Sequence, residues 1–564
     1  VSPARPPLLT VIDDGGISFR YRRSAALWPE AESPGYYLLK MSSLLCQGDL
    51  WAHLVATVGE RLMVVVSADD LRREDAQIAQ ALSWEKCAED TLTVLHDDPI
   101  CRQLCQAASV VVTFGSEGAL WVRGGSGGAR LLFSPGEQEG DHARTINGTV
   151  YGFGTCVITG IAHELVTQHA RAESSPSGLF ADPVALERGI ATGLRARRLL
   201  LELGHGRVGG DKPGFPVKAI ADALTKPGGG YIATDVPPSA RRSSDGSWTI
   251  LRQAEIHGSP DTPLIDLACL TARFGPSAVS NVPALRLGSV LTVDRGEIES
   301  LRTLEMLIRA YEAQAVQKKP LSLGIFGPPG AGKSFAVKAM AKAVLGDRAP
   351  FLEFNLSQFN GPDDLIGAFH RVRDAVLQGT TPVAFWDEFD SQRYKWLQYL
   401  LAPMQDGAFQ EGQITHPIGK CVFVFAGGTS HTFARFGPVL PENPTADQQA
   451  AYQREEHEFT LAKGPDFLSR LHGHLDVLEP NQRKPLTGTT SRDRHRPPGD
   501  GEAPPDITWP IRRAPPARHR GGRAARADAG TRRVQESPRH RRAGGSNPRA
   551  APEEREGPAR PPGR

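Results

Sequence analysis

Long apolar runs are missing from this chain. No stretch of about 18 consecutive apolar residues occurs, and the start shows no basic segment followed by an apolar one, so the sequence predicts neither membrane insertion nor secretion. Cysteine is sparse, seven in 564 residues. The one close pair, Cys101 and Cys105, lacks the second pair or histidine cluster that a zinc centre needs, and the thiols read as buried groups of a protein in a reducing cytoplasm. Net charge is small, +2, which excludes a whole-chain field drawing the protein to nucleic acid or a membrane. The charge is uneven, however: from about residue 485 the chain is Arg, Pro, Gly and Ala with hardly an aliphatic side chain, and such composition cannot bury a core. Length excludes a single core and predicts three or four segments.

What is present begins with short β-branched runs. Leu8–Ile12, Tyr36–Met41, Leu62–Val66 and Val110–Phe114 read as strands buried on both faces, with helical stretches such as Asp75–Leu82 between them, and they predict a parallel α/β sheet. Within it, Val112–Trp121 resembles the strand and glycine turn of ribokinase-like (PfkB-type) sugar kinases, and Tyr151–Cys156 stands where their G-A-G-D loop would come. The aspartate of that loop is replaced by Thr155, with Cys156 beside it, and neither is an ordinary carboxylate base. The resemblance implies either a small-molecule kinase, a degenerate domain that still senses a ligand, or a structural unit. Acidic pairs at strand ends, Asp13-Asp14 and Asp69-Asp70, read as turn formers before ligand holders. Residues 1–173 are assigned to this domain and 174–292 to a linker and a poorly defined middle region, within which Val184–Leu203 is helical in pattern.

From Val293 a helical stripe of Ile298, Leu301, Leu304, Leu307 or Ile308 and Tyr311, with Glu297, Glu299 and Arg302 facing away, leads into an apolar strand, Leu321–Phe326. The strand runs into Gly327-Pro328-Pro329-Gly330-Ala331-Gly332-Lys333-Ser334 and then a helix former. This is the P-loop pattern G-x-x-x-x-G-K-[ST]: glycines turn backbone N–H groups toward one point, a helix N-terminus adds partial positive charge, Lys333 reaches the outer phosphates of ATP and Ser334 ligates Mg2+. Downstream, Pro382–Glu388 is an apolar strand ending in two carboxylates. Asp387 would hold the magnesium shell and Glu388 would polarise the attacking water. Cys421–Ala426 is another buried strand followed by Gly427-Gly428-Thr429-Ser430, where Thr429 would position water or the glycines merely turn the chain. Arg470, in Phe467-Leu468-Ser469-Arg470-Leu471, would stabilise charge on the transferring phosphoryl group across a subunit boundary or serve as a surface ion-pair residue.

These four elements in this order resemble the AAA+ ATPases over residues 293–484. Leu400–Phe409 with Gly412 is similar to the helix and hairpin of Clp-type unfoldases, and Asp364–Phe369 to the segment before their pore loop, with Phe369 a pore aromatic or a core residue. The resemblance implies Mg-ATP hydrolysis between subunits of a homo-oligomeric ring that remodels a protein partner. The helical lid of that superfamily is absent, and residues 485–564 read as a disordered basic tail, as a nucleic-acid-binding segment, or as translation out of frame. The expected fold class is therefore α/β: a ribokinase-like parallel-sheet domain, a P-loop AAA+ domain and a disordered tail. The expected function is a cytoplasmic AAA+ ATPase, with a small-molecule kinase or a slowly cycling ATP-gated switch as alternatives.

Overall fold

A computed structural model describes residues 7–15, 18–30, 35–124, 128–143, 151–171, 178–207, 213–226, 229–242, 248–253, 263–428, 431–441, 444–477 and 512–513. Thr429, Ser430 and nearly all of the tail assigned to 485–564 lie outside the described residues, as does most of the linker Glu173–Gly178. Both sheets described below belong to one unit, Val1–Pro515.

The first sheet has the strand order β1-β2-β3-β4-β5-β6-β9. Strands β1 (Leu9–Asp13), β2 (Tyr36–Lys40), β3 (Leu62–Ser67) and β4 (Ser109–Phe114) run parallel. In β2, β3 and β4 the continuous apolar runs have a simple cause, since successive side chains point to opposite faces and both faces are covered, whereas edge strand β1 is covered only in part and leaves Val11 exposed, contrary to the sequence expectation for Leu8–Ile12. Leu39, Val64, Val66, Val110 and Val112 meet α1 (Asp49–Val58) and α3 (Trp84–Asp97), with α2 (Ala68–Arg72) following β3. Leu38, Met63, Val65 and Val111 meet α4 (Phe153–Arg171) and α5 (Pro183–Leu203). The two helices of that second layer touch backbone to backbone: a Cβ on Gly160 would stand 2.5 Å from Gly193 N, and one on Gly193 2.7 Å from Val157 Cα.

Two sequence expectations need correction here. The sheet is only half parallel, because β4 turns into β5 (Gly118–Arg123) through Gly115–Glu117, far too short for a crossover helix, so β5, β6 (Ala129–Phe133) and β9 (Ile232–Val236) pair antiparallel. Asp75–Leu82 is not helical, since Asp75 (φ +65°) and Ala81 (φ +56°) take left-handed conformations, and α3 starts only after Ser83, whose hydroxyl accepts from Lys86 N. The stretch assigned to 174–292 supplies this domain with α5, with α6 (Val217–Leu224) packed on α5, and with edge strand β9. It also carries a small strand pair, β7 (Gly206–Arg207) with β8 (Pro213–Gly214), a helix α7 (Pro263–Phe274), and the β10 (Leu285–Leu287) and β11 (Val290–Thr292) hairpin.

Helix α8 (Arg295–Glu312), capped by Asp294 at Glu297 N, buries the predicted stripe of Ile298, Leu301, Leu304, Ile308 and Tyr311. The face turned away from that stripe is not left to solvent. Arg295 forms a bidentate pair with Glu89 (2.7 and 2.6 Å), Arg302 another with Asp141 (3.0 and 2.6 Å), and Glu299 accepts from Ser83 Oγ at 2.5 Å. Glu297 is buried too, taking a hydrogen bond from Thr292. The polar stripe is the joint to the first domain, where carboxylates face it.

The second sheet is parallel, with the order β13-β14-β17-β12-β18. Its strands are β12 (Leu321–Phe326), β13 (Phe351–Asn355), β14 (Val383–Asp387), β17 (Val422–Ala426) and β18 (Gly473–Asp476), with a separate hairpin β15 (Ala408–Glu411) and β16 (Ile414–Pro417). One face packs on α8 and α9 (Lys333–Leu345) through Leu323, Ile325, Phe385 and Val424. The other is aromatic: Phe326, Phe354, Trp386, Phe423 and Phe425 meet α10 (Pro362–Leu377) and α11 (Leu397–Asp406). Phe369 of α10 lies in this core, 5.3 Å from Trp386 and 5.3 Å from Phe409 by ring centroid, which settles it as packing and not a pore aromatic.

Candidate active site

Strand β12 ends at Phe326 and the chain turns through Gly327–Gly332 into α9. Gly327 (φ +152°) passes so close to β18 that a Cβ would sit 2.4 Å from Val477 O. Gly330 (φ +80°) and Gly332 (φ +92°) need their positive φ for the turn itself and face open space. Gly332 is the N-cap and provides no side-chain cap, so the first-turn N–H groups of α9 stay free of a competing side-chain acceptor beside a helix dipole that favours an anion.

Lys333 folds over this loop, donating from Nζ to Gly327 O at 2.6 Å and Pro328 O at 3.0 Å. Partial burial lowers its pKa from the ordinary lysine value, and Asp387, Asp390 and Glu388 oppose that shift. Its ammonium can exchange loop carbonyls for phosphate oxygens without leaving the loop. Ser334, one residue on, is half-buried in the first turn.

Asp387 closes β14, in register with Asn355 on one side and Ala426 on the other. Burial raises its carboxyl above the usual range, the neighbouring Glu388 charge adds to this, and the Glu388 N–H, 3.1 Å from Oδ1, acts against it, as does Lys333. Glu388 has φ +52°, a costly conformation for a side chain with a Cβ, and it turns the chain sharply off the strand end. The loop and Lys333 follow β12 and the two carboxylates end β14, the strands on either side of β17, so all gather at the carboxyl edge of one parallel sheet, where open α/β sheets bind ligands.

A residue missed in the sequence completes the turn. Asp390 is buried and accepts from Gly428 N at 3.0 Å, joining the acidic turn to the end of β17 immediately before Thr429. The signal was available as a third carboxylate in Asp387-Glu388-Phe389-Asp390. Arg470 stands apart. It follows α13 (Gly464–Leu468), which comes after α12 (Ala446–Leu461), and its guanidinium donates to Gln405 of α11, at 3.1 Å from Nε, and to Asp466 O. Those partners lie outside the phosphate loop of its own chain.

The donor set fits a magnesium nucleotide: an uncapped helix start, an ammonium, a hydroxyl and a strand-end carboxylate. In the first domain the corresponding candidate is poorer. Thr155 donates to Asp13 Oδ2 at 2.7 Å, while Cys156 is buried and burial pushes its thiol up to about 11, so it is neither base nor ready nucleophile. Residues 144–150, ahead of that loop, lie outside the described residues. Among the described residues no helix is long and apolar enough to cross a membrane.

The family model of the AAA ATPases, the family associated with various cellular activities, matches residues 323–411. No curated protein matches the chain. Among solved structures, NtrX from Brucella abortus in complex with ATP is 16% identical over 31% of this chain and 35% of its own, with a TM-score of 0.19. The ADP complex of the same protein is 15% identical over 32% and 36%, with a TM-score of 0.20. The chain spans about a third of the length of these NtrX structures. Residues 323–411, which carry the phosphate loop and the acidic strand end, are thus similar in sequence to the AAA family of ATPases, as the site they build would require.

Proposed function

We propose that this chain is an AAA+ ATPase that couples binding and hydrolysis of Mg-ATP to remodelling of a protein partner. The observation that carries this reading is the convergence of Lys333 and the Gly327–Gly332 loop, after β12, with Asp387 and Glu388, at the end of β14, across the carboxyl edge of one parallel sheet. The loop N–H groups and the α9 N-terminus cradle the phosphates, and Lys333 moves its donors from Gly327 O and Pro328 O to the outer ones. Ser334 and Asp387 hold magnesium, which when bound neutralises charge on the phosphate oxygens. Glu388 orients and polarises the attacking water, its position fixed by the strained turn and by the Asp390 tie to Gly428. Thr429, which lies outside the described residues, would help to position that water. The protein does little covalent chemistry; it positions groups and stabilises charge.

Arg470 serves the site of an adjacent subunit in a homo-oligomeric ring. Its guanidinium is engaged by Gln405 and Asp466 and not by the phosphate loop of its own chain, which supports that role. The first domain is a degenerate ribokinase-like unit that recognises a ligand or target, a reading supported by the glycine turn after β4 and by the unreactive setting of Cys156. Catalysis is tested by turnover of Glu388→Gln, which should bind ATP and fail to hydrolyse it; equal turnover would refute the assignment.

A further inference from the structure

The β15–β16 hairpin leaves the amino end of β17, whereas the phosphate loop leaves the carboxyl end of β12, so what the hairpin carries is separate from the nucleotide site. Register pairs Phe409 with His416 and Glu411 with Ile414. Alternate strand residues share a face, so Phe409, Glu411 and His416 point the same way, toward α10, where His370 stands. Glu411 Oε2 lies 2.9 Å from His370 Nε2 and 3.2 Å from His416 Nε2, and one ligand atom from each of the three residues falls within 4.8 Å of the others.

The rings are held in place before any ligand arrives. Phe409 stacks on His416 with centroids 5.2 Å apart and meets His370 edge-on at 4.9 Å. His416 Nε2 is buried and makes no hydrogen bond, although the carboxylate oxygen is close. One oxygen is therefore shared between two imidazoles, and one imidazole nitrogen remains unsatisfied, which is costly for a buried polar atom. A cation answers both. In a tetrahedral site with bonds of about 2.0–2.2 Å, ligand atoms stand roughly 3.3–3.6 Å apart, a few tenths beyond the two distances from Glu411 Oε2, and the three ligand atoms already lie within 4.8 Å of one another.

We propose that His370, Glu411 and His416 form a three-ligand site for a divalent transition cation of the zinc type, and that this cation clamps the hairpin to α10. Two imidazoles and one carboxylate suit zinc and exclude magnesium, which demands an oxygen shell. Glu411 is half-exposed, leaving water as the fourth ligand. Because two ligands lie on the hairpin and one on the helix, binding cross-links elements that otherwise meet through Phe409 and the histidine rings.

The test uses the full chain, stripped with chelator and free of nucleotide and magnesium, so that its outcome is independent of the ATPase reading. Cobalt(II) is added as a spectroscopic probe and zinc by calorimetry. The expected result is one equivalent of either metal, visible cobalt bands without thiolate charge transfer, and no competition by magnesium. His370→Ala, His416→Ala and Glu411→Gln should each weaken binding at least about tenfold. In the unaltered chain, zinc should raise the unfolding midpoint and protect His370 and His416 from diethyl pyrocarbonate, read by mass spectrometry; this arm needs no variant to fold. Absence of binding, thiolate bands from the bound cobalt, affinity unchanged in all three variants, or undiminished labelling of both histidines would each overturn the proposal.

Discussion

Arg295 joins the helix that enters the phosphate-loop strand to the first domain, and its removal should be expensive. Its guanidinium gives two hydrogen bonds to Glu89, one to Trp248 O at 2.8 Å and one to Glu299 at 2.8 Å, and the side chains of Arg295 and Glu89 are only 7% and 6% exposed. Arg295 also offsets part of the burial that raises the carboxyl of neighbouring Glu85 above its usual range. Arg295→Met removes the cation and leaves Glu89 charged, buried and unpaired, which costs about 3–5 kcal/mol. Arg295→Met with Glu89→Leu removes the buried orphan charge at Glu89, while the partly exposed Glu299 keeps its bond from Ser83 Oγ, and should regain about 1–4 kcal/mol of that. Urea unfolding followed by tryptophan fluorescence measures both. Lys342→Ala, which breaks the exposed pair to Asp347, is the control and should show no loss. A cost below about 1 kcal/mol for Arg295→Met, or a double variant as unstable as the two singles summed, would refute the reasoning.

Lys333→Ala should weaken ATP binding about 10- to 100-fold, the worth of charge-assisted bonds to phosphate, as read by calorimetry with the fold intact by circular dichroism. Gly193→Ala drives a Cβ into the α4 backbone and should cost about 1–3 kcal/mol. Gly367→Ala, in the interior of α10 with nothing within 4 Å of its Cβ, should instead stabilise by about 0.5–1 kcal/mol; thermal unfolding compares the two. Iodoacetamide at pH 8 should label exposed Cys269 and spare Cys156, whose thiol is pushed up to about 11; rapid labelling of Cys156 in the native protein would revive the kinase alternative for the first domain.

Where both faces of a sheet are covered, the sequence was easy to read: the runs at Leu62–Val66, Val110–Phe114, Leu321–Phe326 and Val383–Trp386 are predominantly apolar because alternate residues enter different cores. The phosphate loop was legible because its chemistry needs contiguous residues. The antiparallel half of the first sheet was hidden, since the direction of β5 depends on the three-residue turn Gly115–Glu117 and not on composition. What the polar face of α8 meets was not legible, because periodicity identifies the apolar stripe but not what the other side packs against; Glu89 and Asp141 are distant in sequence. The His370–Glu411–His416 cluster was missed for the same reason, being assembled only by packing; Asp390 stood in plain view beside Asp387 and Glu388, but its tie to Gly428 forms only in the fold. In Asp75–Leu82, two left-handed residues override helix-forming composition.

The central claim is that Lys333, Asp387 and Glu388 form a hydrolytic site completed by Arg470 of a neighbouring subunit. The most direct measurement is magnesium-dependent ATP hydrolysis by the full chain and by Glu388→Gln across a range of protein concentrations. The account predicts turnover per chain that rises with concentration and is lost in Glu388→Gln while ATP binding remains. Turnover that is equal in the variant, or flat with concentration in a monodisperse monomer, would contradict it.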